Sequence, residues 1–519
     1  MKFKYSTYLF NNNIFLLKLR FKKMNYIQYN HDFSHLFFYN SEKLKKILLK
    51  ENDFYKKEEG DYYLYHSLNW LKTAKTIGGS EIVKITRNKI LRWIKIYNNF
   101  YFNLSDTNLL TQRLINLIYH FDFYGSSAHK KDKINLNFII YCHYSYLKKI
   151  LSSKRNKIKN SIESKKAILL FESINNFKTE KIIKNILMDI TSNINTQGMH
   201  ISMNPQIQSE YINHLIEIKN ILLFFKINLP KEIEFQIMNM TNVLKCLIHK
   251  DDSLAFFNGS NNFFIDNVKK IISKEDYVKS KNLTNNKNGL SVYENKELKI
   301  IFDVVNPVND SLNNELHSST LAFELSVVDE KIISNCGSLN IKNNKKPDYL
   351  RYSAAHSTII LNNTNISEIF EKKSFARAPS KILFKKNEDE NFLNWEASHD
   401  GYSKNYNKIV KRSISINKKN THILGKDEII SIALNKNKLI FNTRFHLTPI
   451  CKALLTRGKM SAIIKTNNSS YLFRTNYEID IEESIFVNDF NKIEKTSQIV
   501  ISGSINNSKK IINWSIEKY

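Results

Sequence analysis

The sequence predicts an α+β multidomain protein in which an antiparallel array of helices precedes a large antiparallel β-sandwich. Apolar residues recur three and four apart from about residue 60 to about residue 275. From about residue 285 the texture changes to short β-branched segments, partly alternating and separated by Asn, Asp and Gly turns. A length of 519 residues is also too great for one ordinary domain.

The helical part rests on segments such as SLNWLKTAKTI, IVKITRNKILRWIKIYNNF, TNLLTQRLINLIYHF and IQSEYINHLIEIKNILLFF, which carry almost no Pro or Gly. Several such helices in series with short polar breaks make an antiparallel array. The sandwich rests on GLSVYENKELKIIFDVV, HSSTLAFELSVVDEKIISNCG, STIILNNTNISEIF and SSYLFRTNYEIDIEESIFV, a pattern that runs on to Trp514. The chain thus divides into a poorly defined N-terminal segment, 1–55, a helical domain, 56–280, and a sandwich domain, 285–519. The boundary falls in the polar stretch Ser273–Leu290.

Hydrophobic residues make up 42% of the chain, with 33 Phe and 26 Tyr, enough for substantial cores. Only 12 Gly and 6 Pro exclude a linker-rich or low-complexity protein. The net charge of +29 suits a polyanionic partner such as an acidic polysaccharide, anionic lipid or nucleic acid. The basic residues are spread end to end, however, as in IKNNKKPDYL, and no single basic run dominates. Aromatics interleave with lysines, but no nucleic-acid-binding motif stands out, so no specific nucleic acid is expected. Cys142, Cys246, Cys336 and Cys451 form no CxxC pair and read as structural thiols. The start, MKFKYSTYLFNNNIFLLKLRFKK, is basic and partly apolar. Asn11, Asn12 and Asn13 interrupt it and no small-residue cleavage site follows, so no secretory signal is read and the cytoplasm is the expectation. No apolar run approaches the roughly 20 residues that span a bilayer.

Four local constellations carry candidate chemistry. Gly198-Met199-His200 and Asn204-Pro205 lie between two helical segments, where a histidine is placed either for a pocket or for a solvated turn. His317-Ser318-Ser319 and Ala355-His356-Ser357-Thr358 both precede strands, so folding can bring the two histidines to one cleft. Two histidines and a carboxylate would suffice for zinc, but no acidic neighbour is spaced for it. The fourth is split between Ser398-His399-Asp400-Gly401-Tyr402 and Arg444-Phe445-His446-Leu447-Thr448-Pro449. Arg, His and Tyr together suit uronate chemistry: a cation neutralises the carboxylate, a base removes the proton on the adjacent carbon, and an acid protonates the leaving oxygen. The same residues serve equally well as hydrogen-bonding groups at strand corners. No glycine-rich phosphate loop, HExxH or GxSxG is present.

The ordered series HSSTLAFELSVVDEKIISNCG, RYSAAHSTIILNN, ASHDGY, RFHLTP and EESIF resembles the C-terminal domain of heparinase II/III family proteins. Upstream, YHSLNWLKTAK and QGMHISMNPQIQSEYINHL resemble the helical domain of the bacterial branch of that family. The resemblance implies an N-terminal α/α-toroid of helical hairpins followed by a C-terminal antiparallel β-sandwich. It implies a polysaccharide lyase acting by β-elimination on a uronate-containing acidic glycan of the glycosaminoglycan kind, in the cell envelope or periplasm. The alternative is a catalytically altered relative that binds glycan or serves the envelope.

Carried over by position, His317 matches the last histidine of the family's HxHxD segment, and Glu315 stands where the preceding histidine is expected. Asn335 stands in place of the acidic residue of the DxG turn, and His356 matches the histidine of the AHN segment. His200 fits the GGH segment, and Ile207 replaces a tyrosine for which Tyr211 is the nearest substitute. The resemblance thus implies His200, His317, Tyr402 and Arg444 as catalytic candidates: His200 or Arg444 for the carboxylate, and His317, Tyr402 or Tyr211 for proton transfer. Tyr211, His399 and His446 are candidate substrate contacts. Some family members hold zinc in the β-domain; here it would fall to His317 and His356, with Asn335 in the third ligand position. A groove between the domains, lined by His200 and at least one C-terminal histidine, is expected.

Overall fold

The structure is a computed structural model that describes residues 65–519 apart from 98–106, 153–160, 275–288, 306–315, 340–348, 370–374, 421, 434–437, 490–491 and 507. The segment 1–55, Glu315 and most of the stretch read as the domain boundary lie outside the described residues.

The helices are α1 (Trp70–Ile77), α2 (Ser80–Tyr97), α3 (Thr107–Tyr119), α4 (Phe121–Gly125), α5 (Lys130–Ser152), α6 (Ile162–Ile174), α7 (Glu180–Asn193), α8 (Pro205–Phe224), α9 (Lys231–Cys246) and α10 (Ile265–Lys274). Their starts follow from local chemistry. Ser161 caps α6 by accepting the Ser164 N–H at 3.2 Å. Asn204 caps α8: its Oδ1 accepts the N–H groups of Gln206 at 2.8 Å and Ile207 at 3.1 Å, and Pro205 opens the helix where its missing N–H costs nothing. No helix among the described residues is long and apolar enough to cross a membrane.

The chain forms two compact units. The first lies within Met1–Asn193 and Tyr211–Ile237, and the second comprises Ile194–Glu210 and Met238–Tyr519. In the first, α3 packs on α5 and α6, and α6 on α7. Its interior also holds paired charges: Lys165 bonds Asp189, and Lys166 bonds Glu217.

The second unit contains the strands β1 (Leu290–Glu294), β2 (Leu298–Asp303), β3 (Phe323–Val327), β4 (Glu330–Ser334), β5 (Ile359–Leu361), β6 (Glu368–Ile369), β7 (Phe375–Arg377), β8 (Ile382–Glu388) and β9 (Phe392–Tyr402). After the short helix α11 (Ser403–Tyr406) come β10 (Lys408–Asn417), β11 (Ile423–Ser431), β12 (Leu439–Leu447), β13 (Lys452–Leu455), β14 (Ser461–Lys465), β15 (Ser470–Thr475), β16 (Ile479–Asp489), β17 (Lys492–Ile505) and β18 (Lys510–Lys518). One sheet runs β1-β2-β3-β4-β12-β17-β16 with β5 also on β12, and the other runs β13-β14-β15-β18-β11-β10-β9-β8. Both are antiparallel throughout their strand pairs.

Alternation explains which faces meet. In β10 every second residue from Lys408 is buried, which sends Val410, Arg412, Ile414 and Ile416 inward. The facing rings interdigitate: Phe323 stacks on Trp514 at 5.4 Å, and Phe302 on Trp395 at 5.8 Å.

Two of these buried positions, Lys408 and Arg412, carry charge. The buried Arg412 guanidinium grips Asp427 through Nε at 2.7 Å and Nη2 at 2.9 Å. Its Nη1 donates to the carbonyls of Leu321 at 2.8 Å and Ser357 at 2.7 Å, on segments that feed the other sheet. Removing one partner of such a pair strands a buried charge and typically costs about 3–5 kcal/mol, whereas apolar replacement of both costs far less. Asp427→Ala is therefore expected to destabilise the sandwich by about that amount, and Arg412→Met/Asp427→Leu by less. Urea unfolding followed by Trp395 and Trp514 fluorescence measures both; equal losses would contradict the assignment.

Candidate functional site

The site begins at a turn. Gly198 has φ +85°, and a Cβ there would stand 2.6 Å from Asn239 Cγ, so only glycine fits. Gln208 clamps the turn, accepting the His200 N–H at 2.7 Å and donating from Nε2 to the Gly198 and Met240 carbonyls at 2.7 and 3.0 Å. The His200 ring is buried with Nδ1 2.8 Å from Ser202 Oγ, and Ser202 Oγ accepts the Asn204 N–H.

Asn204 continues the chain of contacts. Its Nδ2 donates to the Asn258 carbonyl at 2.7 Å. The Asn258 side chain donates to the Met203 carbonyl at 3.1 Å and accepts the His317 N–H at 3.1 Å. Asn258 and Gly259 both lie at positive φ, +52° and +93°, so the loop turns sharply here. A Cβ on Gly259 would have Asn204 Nδ2 and His317 Nε2 at 3.5 Å and Ser338 Oγ at 3.8 Å as its nearest neighbours. The missing side chain thus leaves three polar groups converging on one spot.

His317 and His356 meet edge to face with ring centroids 5.3 Å apart. Burial holds His317 well below the usual imidazole range, helped by His356 and by Arg351, whose guanidinium donates to the Leu316 carbonyl. Burial likewise lowers His356 to about 3, although Glu324 and the Leu350 carbonyl act against it. Among the described residues the His356 ring has no hydrogen-bond partner besides the Leu350 carbonyl. Both rings are therefore neutral at pH 7.

Zinc is the metal implied by the resemblance. A structural zinc site is normally closed by four N, S or O donors. His317 and His356 offer two imidazoles. The third position, Asn335, is neutral and engaged: Nδ2 donates to the Phe256 carbonyl at 3.0 Å, and Oδ1 accepts the Ser357 N–H at 3.3 Å. Among the described residues no group of three or more His, Cys, Asp or Glu stands together. These residues do not fit a structural zinc site.

The remaining candidates sit elsewhere. Tyr402 is fully buried, its hydroxyl donating to the Thr364 carbonyl at 3.0 Å, and burial pushes its pKa up. His399 is buried on the same strand and accepts the Gly401 N–H at 3.1 Å on Nδ1. Arg444 pairs with Glu482 at 2.8 Å. His446 is bonded at both nitrogens, to Ser484 Oγ at 2.7 Å and the Ala354 carbonyl at 3.0 Å. Tyr211 belongs to the first compact unit, where its hydroxyl donates to Asp189 at 2.6 Å. His200, by contrast, shares the second unit with the sandwich histidines. Residues passed over in the sequence are Asn258, Gly259 and Ser338. The run Phe257-Asn258-Gly259-Ser260-Asn261-Asn262 was the available signal, since Asn-Gly marks tight turns.

Beside the site, Ser319 donates to Asp303 Oδ2 at 2.6 Å, and Asp303 is buried. Burial raises Asp303 from 3.8 to about 7 against the opposing bonds from Ser319 and the Val305 N–H. A carboxyl whose folded pKa is raised binds its proton more tightly in the native state, so stability is lost as pH rises from about 4 to about 7. A tenfold difference in proton affinity between folded and unfolded chain corresponds to about 1.4 kcal/mol. Asp303→Asn is expected to be more stable than the parent at pH 8 by about 1–4 kcal/mol, with the gain vanishing near pH 4. Chemical denaturation at the two pH values tests this, and a pH-independent difference would refute it.

Comparison with known proteins matches the C-terminal part of the chain to a family model. Residues 285–515 match the family described as heparinase II/III-like, C-terminal. A crystal structure of heparinase III superposes with a TM-score of 0.72 at 14% identity, over 99% of this chain and 90% of that one. A heparinase III gene product gives 0.69 at 12% identity, over 97% and 88%. Heparan sulfate lyase HepC from Pedobacter heparinus gives 0.63 at 13% identity, over 97% and 87%. No curated protein matches the sequence. These likenesses identify the fold as a helical toroid with a β-sandwich. That fold and the match over residues 285–515 give the chain a heparinase II/III-like C-terminal domain behind a helical toroid.

Proposed function

We propose that the chain is a polysaccharide lyase that cleaves a uronate-containing acidic glycan by β-elimination. The observation that carries this reading is the convergence of Asn204 Nδ2, His317 Nε2 and Ser338 Oγ around the Cα of Gly259. The family match and the heparinase III fold support the reaction class. The net charge of +29 suits a polyanionic substrate.

The chemistry assigns a role to each group. An amide nitrogen has two hydrogens, and Asn204 spends one on the Asn258 carbonyl, leaving one for a uronate carboxylate. Neutralising the carboxylate acidifies the adjacent carbon. Neutral His317 takes the proton from that carbon, and the released electron pair forms the carbon–carbon double bond. The bond from the next carbon to the glycosidic oxygen breaks, and the leaving oxygen takes a proton from the imidazolium of His317. The substrate carboxylate beside His317 also raises the basicity that burial depresses. Ser338 binds a substrate hydroxyl, and His200 holds the Ser202–Asn204 turn in register.

A second reading, a glycan-binding relative without catalysis, is favoured by the tyrosines. Tyr402 and Tyr211 are both engaged in the protein interior, and Arg444 is paired with Glu482. One experiment separates the two. Incubation with heparan sulfate, chondroitin sulfate, hyaluronan and alginate should give an unsaturated product absorbing in the ultraviolet. Loss of a general base typically costs roughly a hundred- to ten-thousand-fold, so His317→Ala should lose that much turnover with an unchanged melting profile. Wild-type turnover in His317→Ala would make the histidine structural. Glycan binding without any unsaturated product would establish the second reading.

A further inference from the structure

The loop that forms the wall of this site is held by a buried charge cluster that the proposed reaction does not use. Glu324 on β3 has no exposed surface, yet its carboxylate collects six donors. Oε1 accepts the Asn335 N–H at 2.9 Å, Asn335 Nδ2 at 3.3 Å and Ser334 Oγ at 3.1 Å. Oε2 receives the Phe256 N–H at 3.0 Å, His249 Nε2 at 3.0 Å and Lys331 Nζ at 2.8 Å. Lys331, 1% exposed on β4, is equally committed. Its ammonium donates to the Leu254 carbonyl at 3.2 Å and lies 4.1 Å from the Phe256 ring centre.

Two of these partners, Leu254 and Phe256, begin the segment that ends in Asn258 and Gly259. Asn335, which stands where a charged metal ligand was expected, is the third link: it bonds both Glu324 and the Phe256 carbonyl. The full positive charge in this cluster is therefore a side chain of the protein, fixed between the sheet and the loop.

We propose that Lys331 is an internal cation that positions the Asn258–Gly259 loop, so that the pocket keeps its shape without a metal ion. The role of that pocket rests on the lyase reading, but the loop's order does not. Lys331 is buried, acts through the loop and is a positioning residue. A buried carboxylate needs a cation or a full set of donors. Without Lys331 the Glu324 charge is uncompensated, and the Leu254 carbonyl loses its side-chain donor.

Hydrogen–deuterium exchange of the full chain reads the loop directly. Lys331→Met should speed exchange of the amides of residues 254–262 by at least tenfold, with β9 to β11 unchanged. Lys331→Arg, which keeps the charge, should restore most of the protection. Glu324→Gln/Lys331→Met removes both charges together, keeps a polar partner for His249, and should fold with the same selective loosening. EDTA or added zinc should leave the exchange and the melting temperature of the wild type unchanged. Wild-type exchange in Lys331→Met, failure of Lys331→Arg to restore protection, or loosening by EDTA would each overturn the proposal. If Lys331→Met does not fold, the double variant and the wild-type chelator experiment decide alone. Because no glycan enters these measurements, a failed lyase assay leaves this test intact, and the reverse also holds.

Discussion

The Arg412 guanidinium sits inside the sandwich, where its planar fork meets the Asp427 carboxylate edge to edge and its remaining hydrogens reach Leu321 and Ser357. The rings of Phe323, Phe445 and Trp514 lie within 6 Å of it. An isolated charge here would be expensive, and only the bidentate pair with its full set of acceptors makes it tolerable. Leu321 follows His317 by four residues, and Ser357 follows His356 directly. The same cross-tie therefore sets where both histidine-bearing segments leave the core. Trp514 adds to it by donating Nε1–H to Asp427 at 3.2 Å.

Around this tie the second unit buries many polar side chains, and hydrogen bonds link many of them. Serines do much of the linking: Ser318 bonds Ser353 at 2.7 Å, Ser357 donates to the Ser334 carbonyl at 2.9 Å, and Ser353 donates to the Ser318 carbonyl at 2.8 Å. Such a network specifies one arrangement of loops more sharply than apolar packing does, because a shift leaves donors and acceptors unmatched. His356 stands apart from it, edge to face with His317 and, among the described residues, bonded at most to the Leu350 carbonyl. The polar frame is tightly bonded next to a place where hydrogen-bonding capacity is left over, as a binding site requires.

The histidines show how much of the site was legible. His200, His317 and His356 were marked by their position at a helix connection and before strands, and the structure gathers them into one compact unit. His446 and His399 carried equally good motifs but are engaged within the sandwich, with His446 held by Ser484 and Ala354. Nothing local distinguishes the two groups, since all are short polar runs at strand ends. The loop residues Asn258 and Gly259 were harder still, because an Asn-Gly turn reads the same whether it bounds a pocket or merely reverses the chain. Lys331 looked like one more lysine in a lysine-rich chain, and only its pairing with Glu324 sets it apart.

The sequence by itself determined the kinds of element and their order. A 3.6-residue repeat can bury its apolar stripe only as a helix, and a two-residue repeat only as a strand, so the change of texture near residue 285 set helices first and strands after. It also placed Pro205 after a capping Asn204, which starts α8 without tertiary help. Tertiary structure decided the rest. Which strands pair is a matter of long-range register, and that register leaves Arg444 bonded to Glu482 while its neighbour Phe445 enters the core. It also decided that residues 194–210, flanked by helices in sequence, pack with the sandwich unit. Side-chain bonds made that choice, through Asn204, Asn258 and the His317 amide, and hydrogen bonds between residues more than fifty positions apart leave no periodic trace in the chain.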